Sequence, residues 1–160
     1  MYGIIATWRM ALEGIQKADS MLKNHQSAAD SIEEAIKAVE DFEYYKSVGY
    51  GGLPNEEMEV ELDAAFMDGD TLEFGCVGGV KDFANPVSIA RSLMHYDANN
   101  FLVGQGAEKY ASRHGFERKT MLTDRAKIHY HNRTKEITNT ELKPYSGHDT
   151  VGMVCLDHDG

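Results

Sequence analysis

An apolar, β-branched stretch reaches almost to the last residue of this chain: "SGHDTVGMVCLD" covers residues 146–157 of 160. A run such as Val151–Leu156 reads as a strand buried on both faces, and a strand requires hydrogen-bonded neighbours. The few residues after it supply none. Either the strand is a terminal edge strand or it opens something these 160 residues lack, and one face of its sheet is expected to stay bare within them. That bare face is the first sign that more protein belongs with this chain.

The upstream elements can be read in order. "YGIIATW" (2–8) reads as a short buried strand. Ala11, Ile15, Ala18 and Leu22 then recur at helical spacing, as do Ile32, Ile36, Val39 and Phe42. Ser27 with Asp30 has the form of a helix start. Glycines gather in "SVGYGGLPNEE" (47–57), an irregular loop, and 60–79 reads as a hairpin turning at Asp68-Gly69-Asp70. Asn85-Pro86 sets an N-cap residue before an N1 proline. "NFLVG" (100–104) reads as a strand, and the helix after it stops at Gly115. Residues 117–147 are polar and weakly periodic, which predicts a linker with about one helical turn. This order predicts an α+β domain, with helices over one face of a mostly antiparallel sheet.

Composition narrows what such a domain does. A net charge of −10 argues against a general nucleic-acid binder or a ligand of anionic membranes. Residues 109–135 hold eight of the sixteen Lys and Arg side chains, but they have few aromatics for base stacking. No apolar run approaches the roughly 20 residues that span a bilayer, and "MYGIIATWRM" lacks the basic and apolar regions of a secretory signal. Cytoplasmic residence is the expectation. The two cysteines, Cys76 and Cys155, then read as buried thiols rather than a disulfide. "GYGG" (49–52) lacks the Lys-Ser/Thr that phosphate cradling needs. "HYH" (129–131) lacks further ligands at metal-site spacing, so no cofactor or metal is expected.

The Thr in "GHDT" offers chemistry of its own. A hydroxyl is a weak nucleophile until a base takes its proton, and a terminal threonine carries that base as its own α-amino group. An α-amino pKa of about 7.7–8.0 suits that task. Thr150 is internal, so it must first be freed by cutting the bond after Asp149. On residue types alone, Asp149 and Thr150 read as capping residues at a strand entrance, because these types favour turns.

Five motifs overturn that reading. "YGIIATWRMALEGI", "SVGYGGLPNE", "LDAAFMDG", "NPVSIAR" and "GHDTVGMV" stand in the order found in glycosylasparaginases. The chain resembles that branch of the N-terminal-nucleophile hydrolases, a likeness that fades over 117–145. "IATW" and "HDT" separate it from isoaspartyl peptidases and plant-type asparaginases, which begin with a "HGGAG"-like strand and cut at Gly-Thr. The resemblance implies a four-layer αββα fold and a proenzyme that cuts itself between Asp149 and Thr150. Residues 1–149 would form the α subunit, with 116–148 its variable linker, and 150–160 would begin the β subunit.

The resemblance also implies site roles and partners. Thr150 is the nucleophile, and His148 and Asp149 flank the cut. Trp8 lines the substrate pocket, and Ser47 supports the nucleophile's amino group. The substrate is the amide joining N-acetylglucosamine to an asparagine side chain, and αβ units pair as a homodimer. The family's carboxylate clamp and oxyanion pair would lie beyond Gly160. Because an oxyanion donor is worth about 3–4 kcal/mol of barrier, the 160 residues alone are expected to be inert. An asparaginase or isoaspartyl peptidase on the same scaffold, and a truncated non-catalytic interaction module, are the alternatives.

Overall fold

A computed structural model describes residues 1–139 and 150–160, with side chains given for all of these except 136–139. Strand β1 (Gly3–Ala6) leads through a 3-10 turn (Arg9–Ala11) into α1 (Leu12–Lys23), and α2 (Ala28–Glu40) follows antiparallel in sequence order. Ser27 caps α2 as its sequence suggests, its Oγ accepting from the Asp30 N–H at 3.1 Å. The two helices meet along small residues. Gly14 and Ala18 of α1 are buried against α2, and a Cβ built on Gly14 would overlap the Ala35 carbonyl oxygen. Close approach of the backbones therefore depends on that missing methyl group.

Strands β2 (Glu61–Met67) and β3 (Phe74–Lys81) form the expected hairpin, and β4 (Phe101–Val103) joins β3 on its other side. The turn is longer than a tight Asp-Gly pair. It spans 68–73, closed by the Asp68 N–H on the Glu73 carbonyl, while the Asp68 carboxylate accepts from the Asp70 and Thr71 N–H groups at 2.9 Å each. Opposite Asp63, β3 carries an extra residue. The Gly79 N–H released by that bulge donates to Asp63 Oδ1 at 2.8 Å.

The sheet is mixed rather than mostly antiparallel: β4 runs parallel to β3 because α3 (Pro86–Leu93) carries the chain back across the sheet between them. Helices α3 and α4 (Gly104–Arg113) pack on one face of this sheet. There Phe66, Val77, Val80, Ile89, Leu93 and Ala107 form the core. α4 ends at His114, with Gly115 at positive φ and the Phe116 N–H returning to the Ala111 carbonyl at 3.1 Å.

Three further expectations are corrected. The polar segment 117–147 is not a linker with one helical turn: α5 (Asp124–Asn139) occupies four turns of it. Thr123 starts α5 by accepting from the Ala126 N–H at 3.2 Å, and Lys127 pairs with Asp124. Ala126 is buried while Ile128 faces solvent, so no apolar stripe advertises the helix. Phe42 lies beyond the end of α2 and is exposed. Cys76 and Cys155 are half-buried free thiols rather than fully buried ones.

The last strand, β5 (Met153–Leu156), finds its neighbour at the other end of the sequence. It pairs antiparallel with β1, Ile4 opposite Cys155 and Ala6 opposite Met153. The other side of that pair is open: Ile5 is 76% exposed and Val154, directly opposite, 74%. The strand 2–8 expected to be buried is thus shorter and bare on one face. The three-stranded sheet is open in the same way, presenting Met67, Phe74, Phe101 and Val103 to solvent.

Gly14→Ala is expected to destabilise the chain by about 1–3 kcal/mol, despite a gain of up to about 1 kcal/mol in helix propensity. Urea unfolding measures it.

Candidate active site

The candidate site forms where β5 begins. Thr7, the residue after β1, holds that entrance with both backbone and side chain. Its N–H donates to the Gly152 carbonyl at 2.9 Å, and its Oγ1 accepts from the Gly152 N–H at 2.8 Å. Thr150 stands two residues before this lock, exposed at the mouth of a cleft. At the far end of β5, the Asp157 carboxylate accepts from the Ala28 N–H at 2.7 Å and so caps α2. That contact and the Asp159 N–H hold the Asp157 carboxyl below the usual carboxylate range. Both ends of β5 are fixed.

The glycine loop is a second element that lines this broad, open cleft. Ser47, Val48, Gly49 and Gly52 line the same cleft as Thr150 and Gly152. The loop closes on itself through Leu53 N–H to the Lys46 carbonyl at 2.8 Å and Gly52 N–H to the Gly49 carbonyl at 3.1 Å. Its attachment to α2 is intimate. The Tyr50 N–H donates to the Glu40 carbonyl at 2.7 Å, and at Gly49 (φ +62°) any Cβ would overlap the Glu40 backbone. The glycines serve this packing.

Glu40 is the site residue that the sequence motifs did not single out. It is 3% exposed. Its Oε1 accepts from the Val87 N–H at 3.2 Å, and its Oε2 from Asn85 Nδ2 at 3.3 Å. Burial pushes its carboxyl up to about 7, against the lowering effect of the Val87 and Asn85 hydrogen bonds. Asn85 itself adopts a left-handed conformation and its side chain makes no cap hydrogen bond to α3. That amide instead reaches Glu40 and Asp41, and the carboxyl of Glu40 takes over the helix N-terminus. One signal was available: Glu40 lies four residues after Ile36, on the same buried helical stripe.

Trp8 follows Thr7 directly. It is 47% exposed, stands outside the cleft lining, and holds φ 60°, ψ 155°, a backbone region that is essentially glycine's. Such a conformation costs about 1–3 kcal/mol and persists only where the surroundings impose it. His148 and Asp149 lie outside the described residues. Of the five residues expected at the site, Ser47 and Thr150 share the cleft and Trp8 adjoins its β1–β5 lock. His129 and His131 sit on α5, and among the described residues no group of three or more His, Cys, Asp or Glu side chains could hold a metal ion. No helix among the described residues is long and apolar enough to cross a membrane.

Comparison with known proteins adds a second line of observation. Residues 6–160 match the family described as Asparaginase. The chain is 32% identical over 157 residues to N(4)-(Beta-N-acetylglucosaminyl)-L-asparaginase of Elizabethkingia miricola, covering 98% of this chain and 46% of that protein. It is 36% identical over 155 residues to the Isoaspartyl peptidase/L-asparaginase of Rattus norvegicus, covering 92% and 46%. Against the Plant-type L-asparaginase of Thermococcus kodakarensis it is 36% identical over 167 residues, covering 96% and 50%. The chain spans about half the length of these relatives.

Thr7→Val removes the acceptor for the Gly152 N–H while keeping the side chain's shape. Net loss of such a hydrogen bond is about 0.5–1.5 kcal/mol, so amide exchange at Gly152 is expected to quicken by roughly threefold to tenfold. Hydrogen exchange resolved at that residue tests it.

Proposed function

This chain belongs to the Asparaginase family, and from that premise we propose that the whole protein is a self-cleaving amidohydrolase with Thr150 as its nucleophile. The observation that carries the reading is that Thr150 and Ser47 both line the broad open face that Met67, Phe101 and Val154 also border, with β5 fixed at both ends beside Thr150.

The reaction has two stages. In the precursor, the Thr150 hydroxyl attacks the carbonyl carbon of Asp149. The peptide C–N bond breaks, the proton passes to the released nitrogen, and the acyl group rests on Thr150 Oγ1 as an ester. Water hydrolyses that ester, leaving a carboxylate on Asp149 and a free α-amino group on Thr150. In the mature enzyme this amino group takes the hydroxyl proton as Oγ1 attacks a side-chain amide of the substrate. The amine leaves with that proton, and water cleaves the resulting acyl ester. Ser47 supports the α-amino group, and Trp8, outside the cleft lining but beside the Thr7–Gly152 lock, reaches the substrate from that edge.

The preferred substrate is a glycosylated asparagine, cleaved at the amide between N-acetylglucosamine and the side chain. "IATW" and "HDT" favour this, together with the Elizabethkingia relative. A β-aspartyl peptidase or asparaginase activity is the second reading, favoured by the higher identity to the rat and archaeal relatives. Turnover of a glycosylasparagine against asparagine and β-aspartyl dipeptides separates the two. The open apolar faces carrying Ile5 and Val154, and Met67 and Phe101, suit a four-layer sandwich whose second sheet comes from residues after Gly160. A dimer of αβ units belongs to the same proposal.

The full-length product is expected to run as two fragments, one beginning at Thr150, while Thr150→Ala stays in one piece. Mass spectrometry of the mature polypeptides reads this directly, and a wild type uncut at that bond would sink the proposal. Trp8→Ala is expected to be processed normally but to raise KM by about tenfold or more, as loss of an aromatic contact worth about 1–3 kcal/mol implies. Failure of that variant to process would instead give Trp8 a role in the precursor fold.

A further inference from the structure

Glu40 is a buried acid that neither stage of the proposed reaction uses. Burying a carboxyl without an ion pair is costly, and Glu40 has no ion pair among the described residues. A merely structural cap would be served by the Ser, Asp or Asn side chain that helices ordinarily carry at this position. Asn85 stands there and its side chain is turned away to Glu40 and Asp41 instead. The acid must come from another helix, and it brings a second attachment with it.

That second attachment is the glycine loop. The Glu40 carboxyl holds the start of α3, while the carbonyl and Cα of the same residue hold Tyr50 and Gly49. The loop moves as a unit, because its own hydrogen bonds tie residue 46 to 53 and 49 to 52. Glu40, Ser47, Gly49, Val87 and Thr150 all line one cleft. We propose that Glu40 is a positioning residue, which sets the placement of the Ser47 loop in the cleft it shares with Thr150 by gripping the N-terminus of α3. The proposal rests on Ser47 and Thr150 acting together as described above.

The charges around the carboxyl give the grip a pH dependence. From α2, Asp41 and Glu33 repel its ionised form. From α3 come the Val87 N–H and the neutral Asn85 amide, while Arg91 is engaged by Glu33 and Asp30. From the loop, Glu40 receives only backbone contacts at Gly49 and Tyr50; Lys119 covers the Tyr50 ring. With its carboxyl pushed up to about 7, Glu40 is largely neutral below that pH and a carboxylate above it. A carboxyl whose hold on its proton is raised in the gripped position is released more readily once ionised, so the grip loosens as pH rises.

The sign for stability is the same. The native state holds the Glu40 proton up to a higher pH than the unfolded chain, whose glutamate has its ordinary value. Between these two values the native state binds more protons, so this residue's contribution to stability falls as pH rises through the window. The neutral isostere Glu40→Gln lacks both effects.

The test compares wild type with E40Q as the full-length, processed protein. The wild-type to E40Q ratio of kcat is expected to fall at least about threefold between roughly pH 6 and 8, with KM changed by less than about twofold. Taking the ratio removes the α-amino titration common to both. The melting temperature of wild type relative to E40Q is expected to fall over about pH 5 to 7. Amide exchange at Tyr50 and Gly52, taken relative to E40Q, is expected to quicken by about tenfold in wild type as pH rises through about 7.

A melting-temperature difference that follows pH beside a flat kcat ratio would make Glu40 a structural cap only and overturn the proposal. Unchanged exchange in the loop would overturn it even for a protein without turnover, a readout that does not depend on Thr150 catalysis. Loss of the new amino terminus at position 150 would instead overturn the function proposed above, leaving the exchange result to judge Glu40. Should E40Q not fold, Asn85→Ala, which strips one donor from the same carboxyl, carries the same exchange and melting readouts.

Discussion

The antiparallel pairing of Gly3–Ala6 with Met153–Leu156 is the contact on which the site depends. It joins the two ends of the sequence, and closing a loop of that length carries an entropic cost on the order of 4 kcal/mol. Four residues of ladder are a modest return by themselves. The pairing is secured by what surrounds it: α2 packs on β5, Asp157 caps α2, and Thr7 locks Gly152 from both sides. Thr150 is thereby held on the same open face as a loop anchored a hundred residues earlier. If the pairing were lost, Thr150 and that loop would belong to separate parts of the molecule.

Much of this was legible in the residues. Ser27, the Asn85-Pro86 boundary, the hairpin and the Gly115 stop are local signals, each set by one or two side chains and their backbone, and each appears near its expected place. What escaped was non-local. Helix α5 is polar, so its periodicity carries no hydrophobic message, and its start depends on the Thr123 hydroxyl. The chemistry of the α3 cap escaped for a related reason: the residue type at position 85 was right, but the acceptor came from another helix. The parallel placement of β4 likewise follows from where α3 packs rather than from the three residues of the strand.

The site shows the same division. Thr150 and Ser47 could be named from motifs, and they share a cleft. Thr7 and Glu40 could not, because a threonine after a strand and a glutamate at a helix end are ordinary residues in ordinary places. Their importance lies in what they touch. Membership of the Asparaginase family places the chemistry in context. The scaffold that holds Thr150 and the Ser47 loop is written in hydrogen bonds made by residues with no motif.

The uncovered side of the two sheets has a consequence for how such a chain is made. Strand edges and flat apolar faces recruit other strands, and the exposed carboxylates Glu61, Asp63, Asp70 and Glu73 that flank Met67 and Phe74 oppose such pairing. A ribosome adding roughly 5–20 residues per second needs on the order of ten seconds to deliver a covering layer of comparable length. For a covering layer supplied by further chain, those carboxylates are what keep the bare faces apart during that interval.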